Sequence, residues 1–235
     1  AQSMLDAVEG SPSIGHTLAY ARLSGRAPTI GMIMGACAGE PALNAALLEY
    51  AIMVKGIGMI AAGGPPVVKA STGVTVSKEE LGGASVHAEI TGMIDNVVED
   101  DAAAIAAVKK LLSYLPTNAW CYPPSSKPRN AKEGAKVLIS KILPEHPRKP
   151  YNMYDIIDCI IDADSFLETK ADYGKALITG FARLNGHPIG LMANQPLVRA
   201  GSLSAAEGQK ARKFIDYCGA YHLPIVSLAD TPGVM

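Results

Sequence analysis

The run Thr29-Ile30-Gly31-Met32-Ile33-Met34 carries no charge, follows Pro28, and leads into Gly35-Ala36-Cys37-Ala38-Gly39-Glu40-Pro41. A short apolar segment bounded by a proline and glycines predicts a strand buried on both faces. The glycines then predict a tight turn. Pro41 suits a first helical position, and Ala42-Leu43-Asn44-Ala45-Ala46-Leu47-Leu48 has the propensity to continue as helix. A strand, turn and helix in that order belong to an α/β fold, and the N–H groups at the start of such a helix have no partners within it.

The chain has 235 residues, 49% of them apolar, enough for one large α/β domain or two ordinary ones with a substantial core. Its 21 basic and 22 acidic side chains leave a net charge of -1, so no bulk field draws it to nucleic acid or an anionic membrane. Cys37, Cys121, Cys159 and Cys218 are far apart and form no Cys-x-x-Cys pair, which argues against a zinc site or a disulfide framework; no metal site is expected. The apolar stretch from Ala27 to Val54 is interrupted by Glu40, Pro41, Asn44 and Glu49, so no membrane span is expected, and residues 1–10 lack the basic start of a signal peptide. These features predict a soluble protein of the cytoplasm or an organelle matrix.

Further strands are expected at Ala51 to Val54 and Gly58 to Ala62, the second running into the loop Gly63-Gly64-Pro65-Pro66. Asp100 can cap a helix whose stripe is Ile105, Val108, Leu111, Leu112 and Leu115. Prolines at 123, 124, 128, 144, 147 and 150 then mark an extended connector with one short helical piece. After it come a helix at Asp155 to Ile161, strands at Ala176 to Leu184 and Pro188 to Ala193 joined by an Asn185-Gly186 hairpin turn, a helix from Ser204 to Tyr221, and a buried strand from Pro224 to Ala229. The domain expectation is therefore a lobe over 1–117, a connector over 118–150, and the start of a second lobe over 151–235. The last buried strand lacks its covering element, so the chain reads as partial.

Several motifs stand in one order along nearly the whole chain. They are Gly35-Ala36-Cys37-Ala38-Gly39, Gly64-Pro65-Pro66-Val67-Val68-Lys69, Glu80-Leu81-Gly82-Gly83-Ala84 with His87, Ala193-Asn194-Gln195-Pro196, and Ala229-Asp230-Thr231-Pro232-Gly233. Together they resemble the carboxyltransferase (beta) subunit of biotin-dependent acyl-CoA carboxylases of the propionyl-CoA and methylcrotonyl-CoA type, including the related decarboxylases. The resemblance implies a crotonase-like α/β spiral fold of two lobes, the second incomplete in these residues. It implies an enzyme that moves a carboxyl group between carboxybiotin and an acyl-CoA through a thioester enolate. Acyl-CoA would be the substrate, and biotin would be carried by a partner chain, since Met53-Val54-Lys55 is followed by Gly56 and does not form the biotin-bearing Met-Lys-Met. Biotin carboxyl carrier protein and biotin carboxylase would be partners, within a homo-oligomer of the hexamer type, a trimer of dimers.

An enolate oxygen needs donors aimed at it, and main-chain N–H groups at a helix start supply them. Carried over by the resemblance, the amides of Gly39 and Glu40 are the candidate oxyanion hole. Glu40 departs from the family's glycine and brings a carboxylate near a developing anion. Ala38, Gly63, Gly64, Pro65, Gly82, Gly83 and His87 are candidates for the substrate side, and Gln195 and Gly201 for the biotin side. His87 beside Gly82-Gly83 can equally be a structural histidine, and Lys69 a solvated lysine. Asp230-Thr231-Pro232-Gly233 imitates a GTPase motif, but no phosphate-cradling Gly-x-x-x-x-Gly-Lys-Ser/Thr precedes it. The same chemistry run in reverse, a decarboxylase, and an inactive assembly subunit remain as alternatives.

Overall fold

A computed structural model describes residues 12–131, 135–146 and 149–235. The chain divides into two compact units, residues 1–108 and 109–235.

In the first unit, α1 (Pro12–Leu23) precedes β1 (Ile30–Ile33), β2 (Ala36–Ala38), α2 (Glu40–Leu47), β3 (Tyr50–Val54) and β4 (Met59–Ala61). After these come α3 (Pro65–Thr72), α4 (Lys78–Gly82), a π-helical turn (Val86–Ile90), β5 (Asn96–Val98) and α5 (Asp101–Leu112), which runs past Val108. The strands form a parallel sheet in the order β1-β3-β5 and a separate parallel pair β2-β4. Parallel pairing demands a crossover between neighbours, and α2 supplies it between β1 and β3. The core gathers Ile33, Ala42, Ala45, Ala51, Met53, Ile60, Ala84 and Ile94.

Three expectations need correction. The strand buried on both faces is β3, every residue of which is buried, whereas β1 has a strand neighbour on one side only among the described residues and leaves Met32 43% exposed. The segment read as one tight turn contains β2, because its small side chains let it lie parallel against β4 with Ala36, Cys37 and Ala38 opposite Met59, Ile60 and Ala61. On α5 the buried positions are Ala104 and Leu111, while Ile105 and Leu112 are exposed. The face presented inward is one step round from the largest side chains, and alanine fills it where the neighbours approach closely.

The second unit holds α6 (Ala135–Ile142), α7 (Met153–Ile160), β6 (Leu167–Thr169), β7 (Leu177–Leu184), β8 (His187–Asn194), a 3-10 turn (Arg199–Gly201), α8 (Ala205–Ala220) and β9 (Ile225–Leu228). The sheet order is β6-β7-β8-β9, antiparallel up to β8 and parallel between β8 and β9. Asn185 and Gly186 both take positive φ, 52° and 80°, as the predicted two-residue hairpin turn requires. Asn152 caps α7, and Ser204 with Glu207 forms a capping box at the start of α8. Ile157, Ile178, Ala182 and Leu191 lie at the centre of one cluster. The Phe181 ring lies tilted against Phe214 and Tyr217 on α8, with centroids 5.3 Å and 5.7 Å away.

Candidate active site

Because β2 and β4 run parallel with Ala38 opposite Ala61, their carboxyl ends coincide. A helix follows each strand: α2 begins at Glu40, directly after Gly39, and α3 begins at Pro65, directly after Gly63-Gly64. Each carries proline at its first or second position, where a missing N–H costs nothing. Gly39 sits at φ 74° and ψ -137°, a conformation that L side chains avoid and that turns the chain from β2 into α2. The helix starts add partial positive charge to this end of the strand pair.

The Gly39 N–H is not free: it donates to the Ala61 carbonyl oxygen at 3.1 Å and extends the β2-β4 ladder. In this structure the Gly39 amide is thereby paired with β4. The Glu40, Gly63 and Gly64 N–H groups meet no acceptor among the described residues. They are the donors this edge presents. The Glu40 side chain keeps one carboxylate oxygen, Oε1, buried without a hydrogen-bond partner among the described residues.

The remaining first-unit candidates crowd the same strand. His87 Nε2 lies 2.8 Å from the Ile60 carbonyl oxygen, and Nδ1 lies 3.1 Å from Thr91 Oγ1, so both ring nitrogens are engaged. A Cβ on Gly82 would overlap that same Ile60 carbonyl, and one on Gly83 would overlap the Glu79 carboxylate. Gly82 and His87 thus meet β4 at one carbonyl, while Gly83 packs against Glu79. Ala38 lines a cavity of about 590 Å³ together with Met32, Met34, Cys37, Pro41 and Leu48. Its walls are apolar apart from Tyr20, Cys37 and Asn44, and burial pushes the Cys37 thiol pKa up, which keeps it a neutral wall residue. Lys69 lies in the last turn of α3.

The two biotin-side candidates are in the second unit and are occupied by its own structure. The Gln195 Oε1 accepts from the Met153 N–H at 3.2 Å, and its Nε2 donates to Asn152 Oδ1 at 2.8 Å, which fixes the start of α7. Gly201 lies against the Asp230 carbonyl, and its own carbonyl accepts from Asn194 Nδ2 at 3.1 Å. The Tyr151 hydroxyl donates to Asp230 Oδ2 at 2.7 Å.

Among the described residues no group of three or more His, Cys, Asp or Glu is placed to hold a metal ion, and no helix is long and apolar enough to cross a membrane.

Paired helix starts at the carboxyl ends of short parallel strands, backed by glycine packing, define an α/β protein of the crotonase-like class. The chain belongs to the family described as "Carboxyl transferase domain", whose model matches residues 3–235. It is 37% identical over 212 residues to the propionyl-CoA carboxylase carboxyltransferase subunit of Haloferax mediterranei, covering 90% of this chain and 41% of that one. It is 40% identical over 217 residues to the methylmalonyl-CoA carboxyltransferase 12S subunit of Propionibacterium freudenreichii subsp. shermanii, covering 92% and 41%. It is also 35% identical over 234 residues to the methylmalonyl-CoA decarboxylase subunit alpha of Propionigenium modestum, covering 100% and 45%. A solved transcarboxylase 12S structure, a hexamer with methylmalonyl-coenzyme A and methylmalonic acid bound, superposes with a TM-score of 0.86 at 38% identity, covering 95% of this chain and 43% of that one. The chain thus spans about two fifths of the length of these relatives.

Proposed function

We propose that this chain provides the acyl-CoA half of a carboxyltransferase, holding a thioester carbonyl while its α-carbon loses a proton. The observation that carries this reading is that α2 and α3 follow the paired strands β2 and β4, and the Glu40, Gly63 and Gly64 amides at their starts meet no acceptor among the described residues. Donors fixed by strand ends need no reorganisation as the carbonyl oxygen becomes an enolate, so they favour the transition state over the ground state. The cavity beside Ala38 offers room for a short acyl or pantetheine segment. Gly82 and His87 act on this site through the Ile60 carbonyl of β4 rather than by contact with substrate.

Biotin on another chain would supply the carboxyl group and the base for the α-proton. Gln195 and Gly201 do not fit that group here, because their polar atoms are used within the second unit. No step is assigned to biotin on these residues. A carrier protein, a biotin carboxylase and a hexameric assembly are the partners expected by analogy with the named relatives. The relative from Propionigenium modestum, aligned along the full chain, favours decarboxylation as the second reading, with the same donors serving the enolate in reverse.

Isothermal calorimetry with propionyl-CoA and methylmalonyl-CoA tests the proposal. Saturable binding that competes with free CoA is expected. Absence of heat and of competition would assign the chain to assembly alone.

A further inference from the structure

Glu40 is the first residue of α2, and it brings a donor and a negative charge to the same point. Its main-chain N–H meets no acceptor among the described residues, and its side chain enters no ion pair among them. Its Oε1 is shielded from solvent and has no hydrogen-bond partner there either. The partial positive charge of a helix start favours an acid at this position, and the acid in turn cancels part of that charge. By contrast, α3 has no acidic residue in its first turn.

Covalent geometry keeps the carboxylate carbon of a glutamate within about 5 Å of its own amide nitrogen, whatever the rotamer. A group held by the Glu40 N–H therefore stands close to the Glu40 charge. Because Oε1 is closed off from solvent, that oxygen acts on a ligand through its field rather than by contact, and a partly buried charge is screened less than an exposed one. With a thioester oxygen on the Glu40 N–H, a carboxylate borne on the acyl α-carbon falls within about 11 Å of the Glu40 carboxylate. At an effective dielectric of about 20, two like charges at that separation repel enough to change affinity about tenfold.

Building on the proposed function, we infer that Glu40 is a specificity-determining residue that selects acyl-CoA by the charge of its acyl group. A thioester with an uncharged acyl chain is accepted, and one that bears its own carboxylate is disfavoured. A product that has gained a carboxylate is released more readily through the same field. Glu40 stands where the family that the chain resembles has glycine, so this discrimination is a property of this chain.

Competition calorimetry on the chain with propionyl-CoA and methylmalonyl-CoA tests the inference. The two ligands share the CoA moiety, so the ratio of their affinities isolates the acyl group. Propionyl-CoA is expected to bind about tenfold more tightly. Glu40→Gln keeps the N–H and the size of the side chain but removes the charge, and should bring the ratio close to one. Glu40→Gly should do the same, which separates the loss of charge from any effect of the new amide. Equal binding by the natural chain, a preference for methylmalonyl-CoA, or a preference for propionyl-CoA that survives in both variants overturns the inference. Tight binding of both ligands without discrimination would leave the proposed function standing, whereas binding of neither would remove that function and this inference with it.

Discussion

His87 donates through Nε2 to the Ile60 carbonyl oxygen at 2.8 Å, and so ties the π-helical turn to the back of β4. A carbonyl only accepts, so the proton is on Nε2 and Nδ1 is left to meet Thr91 Oγ1 at 3.1 Å. His87→Ala should therefore lower stability by about 1–3 kcal/mol, the cost of leaving a buried carbonyl unpaired. Urea unfolding would measure it. Acyl-CoA affinity of the variant that remains folded should be unchanged, and a selective loss of affinity at full stability would return His87 to the substrate.

Glu40 separates the backbone from the side chain. Proline is accepted at the first turn of a helix, so Glu40→Pro removes the donor N–H without breaking α2. Glu40→Gly keeps the N–H and removes the carboxylate whose Oε1 is buried without a partner. In the full-length enzyme Glu40→Pro should reduce kcat by about 100- to 1,000-fold, as loss of one oxyanion donor does. Glu40→Gly should leave kcat unchanged or raise it. The reverse ranking, read from steady-state kinetics, would give the catalytic role to the carboxylate.

Asp162, 5% exposed, accepts from the N–H groups of Asn185 and Gly186 at 2.7 Å each. The hairpin turn is thus held from outside as well as by its own conformation. Asp162→Ala should cost about 1–3 kcal/mol, because the buried Gly186 amide and the half-buried Asn185 amide lose their acceptor. Asp162→Asn, which can satisfy only part of this, should fall between the two. Hydrogen exchange should show the loss first at Asn185 and Gly186.

Lys210, 2% exposed, donates to the carbonyls of Lys170 at 2.7 Å and Tyr173 at 3.0 Å. Burial, which outweighs the attraction of Glu168, lowers its pKa from 10.5 to about 8. Between these values the unfolded chain binds the proton more tightly than the folded one, so this group makes stability rise with pH from about 8 to 10.5. Below about 8 the charged lysine is retained at a desolvation cost and its contribution is flat. Unfolding free energies of the natural chain and of Lys210→Met, measured across this range, should differ by that upward slope, which the methionine variant lacks. Parallel curves would remove the assignment.

Local rules suffice for much of the second unit. Asn185-Gly186 is a turn because its two residues tolerate positive φ, and Ser204 with Glu207 starts α8 because the pair satisfies the helix's first amides. The order of motifs from Gly35 to Gly233 likewise carries the family without coordinates. Which amides of the first unit remain available is not legible in this way. Gly39 and Glu40 are neighbours in a glycine-rich segment, yet one N–H joins the ladder through Ala61 and the other does not.

The sequence by itself determined the α/β class, the family and the existence of a helix start after a small-residue segment, since composition, periodicity and turn chemistry act within a few residues. Only the tertiary structure decided that β3 rather than β1 is the buried strand, that His87 and Gly82 converge on one carbonyl, and that Tyr151 meets Asp230 from 79 positions away. Those outcomes depend on which strands lie side by side and in what register. Register is fixed by the packing of the whole unit and leaves no mark on the residues taken one window at a time.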